Sequence, residues 1–515
     1  MFKYVMSRII RSIFSIIVVM GVVMVLIFSL MNRKAIFQTD SNYSKLKDNQ
    51  KIKYELSKYQ SYGYIDFVEF PIYVESLFED PSSSECKAAK KLDYSSENDA
   101  NNPYIQKFIE TYSSKGYEII RLEGKKGVSS KFPALYATKD INVFVRLWNF
   151  FTGLIEFDHP WNVKTEREIS RGYKIVWNDG ISGMPALVGS GTKYKYQIYF
   201  NDKFPFIHQN FLRFNLGKSF STYANTGVYD VIASSQGSLV VSETKYPTGV
   251  VKNSADNLHT ASYVDRDLTE EEIALFGEGN QYVNCRKFKD GNSMIGYSFL
   301  IGIISTILVY LLGVPIGMYI ANHKDKLSDK IALVYMVFIM AVPSLAYIFM
   351  FAAIGTSVFK LPTKFGADVT PLYLVYILPI ISLALPSIAS LMKWIRRYMI
   401  DQMNSDYVKF ARSGGLSEGE IFRKHILRNA IIPIVHGIPG SVLGCLTGAI
   451  ITEKVYAVPG TGKLLTTALN NNDNGMIVAL TFFYTVLSVT ALILGDVLLA
   501  KIDPRISFSE TGGRQ

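Results

Sequence analysis

The hydrophobic positions of this chain are gathered into blocks rather than spread at the period of a soluble fold. Six stretches contain no Asp, Glu, Lys or Arg: Ser12–Met31, Asn292–Asn322, Ile331–Phe359, Pro371–Met392, Ala430–Thr452 and Gly475–Gly495. About 20 helical residues, rising about 1.5 Å each, cross a hydrocarbon layer of about 30 Å, so every block is long enough to span a bilayer. The pattern predicts an α-helical polytopic membrane protein with six transmembrane helices, the second and third having length to spare for tilt. Pro343, Pro379, Pro386, Pro433 and Pro439 fall inside blocks and predict kinks, because neighbouring helices re-satisfy the backbone groups that proline frees.

The first block follows Lys3, Arg8 and Arg11 but ends Phe28-Ser29-Leu30-Met31-Asn32, without the small-x-small pattern of a cleavage site, and reads as an uncleaved anchor. Lys and Arg number 17 in the 71 residues of Met1–Arg11, His323–Lys330, Lys393–Asn429 and Lys501–Gln515, against 4 in the 33 residues of Lys360–Thr370 and Glu453–Asn474. The positive-inside rule then puts both termini in the cytoplasm, although Arg33 and Lys34 run against it locally. Residues 32–291 fall outside the cell on this topology, and there the pattern changes. Asn102-Pro103, then apolar Ile105, Phe108, Ile109 and Tyr112, then Gly116, predicts a capped amphipathic helix. Thr269-Glu270-Glu271-Glu272 opens another, closed by Gly277. Tyr117–Leu122, Ile141–Leu147, Thr192–Phe200 and Ser238–Lys245 read as strands and Asp80–Asn102 as a loop, which together make a mixed α/β extracellular domain. The plan is thus residues 1–31 as N-terminus and first helix, 32–291 as the insert, and 292–515 as helices 2–6 with a long loop at 393–429 and a tail at 501–515.

Composition sharpens this picture. With 515 residues, 49% hydrophobic and 19% charged, and a mean hydropathy of +0.16, the chain is neither a cytosolic enzyme nor disordered. Its net charge of +10 gathers on the cytoplasmic side, where flanking spans would hold any basic unit at the bilayer, so no nucleic acid is expected as a partner. Cys86 and Cys285 both fall in the insert and either form a disulfide or stay as two buried thiols, whereas Cys445 lies in a span. His159, His208 and His259 are scattered without metal-ligand spacing, and no metal site is expected. Gly217-Lys218-Ser219 and Gly460-Thr461-Gly462-Lys463 imitate a phosphate-binding loop. Leu212 and Ala457 stand where it needs its first glycine, and Leu464 follows Lys463 in place of Ser or Thr, so no ATPase site is expected in this chain. The spans hold only His436 and, near an end, Asp496 as ionisable groups, which argues against proton or sodium coupling.

The loop 393–429 is longer than a connection requires. Asp406–Ser413 forms a short helix stopped by Gly414-Gly415; after Leu416, Ser417 with Glu420 makes a capping box for a second helix over Glu418–Asn429. Its apolar Ile421, Phe422, Ile426 and Leu427 are flanked by Arg423, Lys424 and Arg428, a pattern that also suits contact with anionic membrane lipid.

This loop resembles that of the inner-membrane permease subunits of ABC importers, specifically the B-type subunit of the oligopeptide/dipeptide permease family. The matching residues are Ala411-Arg412-Ser413-Gly414-Gly415-Leu416, Arg423-Lys424-His425-Ile426-Leu427-Arg428-Asn429-Ala430 and Ile432-Pro433, followed by Gly448, Glu453, Pro459-Gly460-x-Gly462, Asp473, Asp496 and Asp503-Pro504-Arg505. Asn215-Leu216-Gly217-x-Ser219 resembles the family's segment before the second span, and Tyr4–Arg11 its N-terminus. Lys409-Phe410 stands where the wider family has Glu-Ala, Gly414 replaces a residue usually long and basic, and the usual Pro-Gly-Asp-Pro after the first span is absent. The resemblance implies the ABC importer permease fold, with Ala411, Arg412, Gly414, Gly415, Leu416, Ser417, Glu420, Phe422, His425 and Arg428 coupling to an ATPase groove. It also implies two ABC ATPase subunits that bind ATP and magnesium, a second homologous permease subunit and an extracellular peptide-binding lipoprotein, with no cofactor on this chain and no reaction of its own. Phe422 and Ile426 would supply the apolar anchor. Glu453, Pro459, Gly460 and Gly462 form an outer turn that caps the fifth and sixth spans, the alternatives being substrate binding or gating of the pore. The competing reading is a membrane-anchored receptor or assembly protein whose external domain carries the activity.

Overall fold

The computed structural model describes residues 2–47, 49–78, 80, 82–90, 102–122, 134–164, 168–177, 185–200, 207–238, 241–245, 251–255, 270–276, 291–365 and 373–502. Four apolar helices, Phe2–Leu30, Met294–Asn322, Leu374–Met403 and Asn474–Ile502, are each long enough to cross a bilayer. Two bent pairs add up to two more crossings: Leu327–Ala341 with Ser344–Ser357, turning through 109°, and Glu418–His436 with Ile438–Val455, turning through 42°.

The uncharged block Ile331–Phe359 is therefore not one rod. Val342 precedes Pro343, proline disfavours helical backbone at the residue before it, and the chain is extended at both before the helix restarts at Ser344. The helix expected to end at Asn429 instead continues to His436, and the break comes at Gly437, where Pro439 ahead can no longer donate to the preceding turn. Likewise Leu374–Met403 carries on beyond Met392, so the first part of the loop 393–429 is helical. Met294–Asn322 lies along Leu374–Met403. They approach tightly at Gly313 and Gly317, where an added Cβ would come 3.0 Å from Leu391 and 2.9 Å from Ile395.

Between the first and second long helices the described chain is a mixed α/β structure. One antiparallel sheet has the order β1 (Ile65–Glu69), β3 (Ala134–Asp140), β2 (Glu118–Leu122); β1 and β3 have no counterpart in the sequence reading. Helix Pro103–Ser114 begins at Asn102, whose side chain accepts from the N–H groups of Tyr104 and Ile105 at 3.1 and 3.4 Å. It packs Ile105 and Phe108 against Phe70, Val74, Cys86 and Leu135. A second antiparallel sheet runs β5 (Gly172–Val176), β6 (Ala186–Ser190), β7 (Tyr196–Phe200), β8 (Ile207–Gln209); β4 (Ile155–Phe157) pairs with β9 (Leu212–Phe214), and β10 (Val241–Lys245) with β11 (Val251–Ala255).

Three segments fold differently from what their local pattern predicts. Ile141–Leu147 is not a strand: Asn142 caps the N–H of Phe144 at 2.9 Å and starts the helix Val143–Gly153. The Asp80–Asn102 stretch contains a helix, Ser84–Lys90. Pairing in Thr192–Phe200 starts only at Tyr196, because Asp158 holds the N–H groups of Lys193 and Tyr194 in a turn at 2.7 and 2.9 Å. The acidic helix is present as Glu270–Phe276, its expected caps Thr269 and Gly277 lying outside the described residues. Cys86 is a buried free thiol and Cys285 lies outside the described residues. Among the described residues no group of three or more His, Cys, Asp or Glu side chains could hold a metal ion; His159 accepts from the N–H of Trp161, the side chain of His208 and all of His259 lying outside the described residues.

Candidate functional site

At one end of the bundle the residues Asp406–Arg428 form a bent arm. Helix Asp406–Ser413 ends as its composition dictates: Gly414 donates to the Phe410 carbonyl at 2.9 Å, and Gly415 takes a φ of +82° that a side chain would resist. Ser417 and Glu420 form the expected capping box. Across the turn, Arg412 grips Glu418 with two bonds of 2.6 and 3.0 Å, and this carboxylate holds the Arg412 guanidinium above its ordinary pKa. The following helix runs through a π-helical segment, Ile421–Leu427, before regular geometry resumes.

Burial divides the arm into two faces. Val408, Ala411, Ile421 and Ile426 are packed with Ile395 and Met399 of the neighbouring long helix, and Phe422 leans on the same cluster. Phe422 and Ile426 therefore hold the arm to its own bundle and are not the free anchor expected from sequence. The outward residue is Phe410, 80% exposed, with Leu416 also exposed. Around them Lys409, Arg412, Ser413, Gly414, Gly415, Ser417, Arg423, Lys424 and Arg428 all face solvent. His425 is half-buried, its carbonyl and the Asn429 amide lying at 3.4 and 3.0 Å from the Tyr407 hydroxyl. The long helix on which the arm packs is tied to Leu327–Ala341 by an ion pair that sequence reading missed: Asp329, fully buried, accepts from Arg396 Nε at 2.6 Å and Nη2 at 2.7 Å, and from the N–H of Asp325 at 3.0 Å. Only the i to i+67 separation hides it, since each residue alone looks like an ordinary loop charge.

At the other end, Glu453 is fully buried. Its carboxylate accepts from Ser298 Oγ at 2.7 Å and the N–H of Lys463 at 2.9 Å. It thereby occupies the N-terminus of the helix Thr461–Asn470, where backbone N–H groups and the helix dipole favour an anion. Gly460 and Gly462 are required by closeness: an added Cβ would fall 2.4 Å from the Glu453 carboxylate carbon or 2.7 Å from Ile450 Cα. Ser298 Oγ in turn accepts from the N–H of Thr461 at 2.9 Å, and the Thr461 hydroxyl lies 2.9 Å from that of Tyr484. The Gly460–Lys463 turn is thus already filled by a carboxyl group, the protein's own.

The other phosphate-loop mimic serves a similar end. Asp473, buried at the start of the last helix, accepts from Ser219 Oγ at 2.5 Å and from the N–H groups of Phe220, Thr222 and Met476 at 2.7, 2.9 and 3.0 Å. Ser221 Oγ donates to the Asn471 carbonyl at 2.7 Å, and Asn474 donates to the Tyr64 hydroxyl at 2.6 Å. An added Cβ at Gly475 would sit 2.0 Å from the Lys218 carbonyl oxygen. These bonds clip the α/β structure onto the last long helix. His436 packs beside Gly495, and Asp496 pairs with Arg8 at 2.9 Å.

A bundle of apolar helices with a charged arm at one end and a clipped α/β structure at the other defines a multi-pass membrane protein. A family model described as binding-protein-dependent transport system inner membrane component matches residues 313–508. The chain is 36% identical over 516 residues to the oligopeptide transport system permease protein AmiC of Streptococcus pneumoniae, covering 99% of this chain and 100% of that one. The oligopeptide permease protein OppB of Haemophilus influenzae is 28% identical over 285 residues, 53% of this chain and 90% of its own. The dipeptide permease protein DppB of Bacillus subtilis is 29% identical over 218 residues, 42% and 69% respectively. The chain belongs to the oligopeptide transport permease family of binding-protein-dependent inner-membrane components. It is a transport component of the plasma membrane, and its α/β region has a counterpart in AmiC.

Proposed function

We propose that this chain forms one half of the translocation pathway of an ATP-driven peptide importer, and that the Asp406–Arg428 arm transmits ATPase movement into it. The observation that carries the proposal is Phe410. Phe422 leans on its own bundle and Tyr407 is tied through its hydroxyl to Asn429, while Phe410 stands free on a basic rim, as a residue meant for an acidic groove would. From Glu418 the helix passes through Gly437 to Glu453, about 50 Å at about 1.5 Å per residue. A push on the arm therefore reaches the Glu453 turn through one lever with a single bend, and Asp329–Arg396 keeps the lever's neighbour in register. In this reading Glu453, Pro459, Gly460 and Gly462 anchor the outer turn that the lever moves.

The six blocks are six crossings, both termini are cytoplasmic, and residues 32–291 lie outside, with 292–515 as the permease core and 501–515 as its cytoplasmic tail. A second homologous permease subunit completes the pathway, two ABC ATPase subunits bind ATP and magnesium, and an extracellular lipoprotein delivers peptide. The names of AmiC and OppB support the substrate class. Ligand-driven bias between inward- and outward-open states then follows from ATP binding to the partners alone. The test is purification from native membranes in a mild detergent on a C-terminal tag. Two P-loop ATPases and a second multispan chain are expected to co-purify with nucleotide hydrolysis; a chain that emerges alone from several detergents refutes the proposal.

A further inference from the structure

We propose that the helix Val143–Gly153, although part of the α/β insert, lies inside the outer leaflet of the bilayer with Phe144, Val145 and Trp148 against lipid acyl chains. Its inner face shows the depth. Val143, Leu147, Phe150 and Phe151 pack around Met20 and Met24 of the first long helix and Val478 and Phe482 of the last. The rings of Phe150 and Phe151 lie 5.5 and 6.2 Å from that of Phe482, and a Cβ on Gly21 would meet Leu147 at 3.6 Å. At about 1.5 Å per residue, Met24 is about 9 Å inward from Leu30 and Phe482 about 12 Å inward from Asn474. A helix packed at those levels is below the ends of the spans, at the depth of about 5–10 Å where interfacial helices lie.

Its outer face shows the occupant. Phe144 is 71% and Trp148 70% exposed, with Val145 between them, and that face carries no charge. Asn149 and Thr152 are its exposed polar positions, and a helix with such large apolar side chains on both faces is stable only where both meet apolar surroundings. The single charge turns away from this face: Arg146 is buried, its guanidinium 3.5 Å from the Phe28 ring and 4.1 Å from that of Tyr64. Its charge is thus met by those two rings and not by the lipid-facing side of the helix. The apolar surface continues from the helix into β4, where Ile155 and Phe157 are exposed, and across to Phe214, the partner of Ile155 in β9. So large an uncharged surface is out of place in water and in place against hydrocarbon. The choice of leaflet rests on the proposed orientation; the contact with lipid does not.

The test uses the whole importer complex in lipid nanodiscs, with a nitroxide on Trp148→Cys or, as a second site, Phe144→Cys, and the parent chain as background. Val22→Cys on the exposed face of the first long helix and Lys107→Cys on the exposed face of Pro103–Ser114 serve as references. Positions 148 and 144 are expected to match position 22, with oxygen collisions several-fold above and nickel-chelate collisions several-fold below those at 107. Nickel collisions equal to those at 107, or exclusion of both reagents as under a covering protein, overturns the proposal. An impermeant maleimide on Lys107→Cys in intact cells reads orientation separately: no labelling there, with a lipid-like signal at 148, refutes the orientation and the choice of leaflet together.

Discussion

Replacing Asp473 by alanine should release the α/β structure from the last membrane helix. The side chain is buried and satisfies four close donors, Ser219 Oγ and the N–H groups of Phe220, Thr222 and Met476, at 2.5 to 3.0 Å. Removing the acceptor leaves all four without a partner in a site too tight for easy hydration, since the Gly475 backbone already abuts the Lys218 carbonyl. An orphaned buried donor costs about 1–3 kcal/mol, so the lower end alone gives about 4 kcal/mol for Asp473→Ala. At about 1.4 kcal/mol per tenfold, the clip then opens about a thousand times more often. Asp473→Asn keeps one oxygen, which accepts from two of the four, and should cost about half as much. The readout is hydrogen exchange by mass spectrometry on the purified complex, following the peptide that covers residues 215–226. Exchange at Phe220 and Thr222 should accelerate in the order wild type, Asn, Ala, with the core helix Pro103–Ser114 unchanged. Exchange in the Ala variant indistinguishable from wild type would refute the reasoning, because it would show that other contacts hold the segment.

Gly415→Ala places a side chain in open space but at a φ of +82°, so it should strain the arm by about 1–2 kcal/mol, lowering peptide uptake while the complex still assembles. Gly460→Ala drives a Cβ to 2.4 Å from the Glu453 carboxylate and should cost about 1–3 kcal/mol in thermal stability of the purified complex, whereas Gly444→Ala, with nothing within 4 Å, should leave it unchanged. Arg396→Met strands the buried Asp329 carboxylate, a loss of about 3–5 kcal/mol by thermal melting, much of which the double variant with Asp329→Leu should recover.

Charge-free length made the spans legible, because bilayer insertion depends on composition over about 20 residues and not on partners. Pro343 marked a kink, but hydropathy could not show that it is as sharp as 109°, since a bent pair and a straight rod have the same hydropathy. Caps at Asn102, Ser417 and Gly415 were legible because capping is decided within four residues. The direction in which capped helices face is decided by tertiary packing: Phe422 reads as an anchor from its pattern, yet it leans inward and Phe410 faces out. Ile141–Leu147 carries strand-like residues, but Leu147 finds Gly21 and its continuation finds Phe482, contacts that no local pattern encodes. Ser219 and Asp473 both appear in the family resemblance, but their bond joins positions 254 residues apart, which spacing cannot show.

The most direct test of the central claim is a photo-crosslink from position 410. With a benzophenone-bearing phenylalanine in place of Phe410, irradiation of native membranes should give one principal adduct, between this chain and an ABC ATPase subunit, and the adduct should change in yield with ATP. Adducts confined to lipid or to this chain itself, in membranes where the ATPases are present, would contradict the account of the arm as the coupling element.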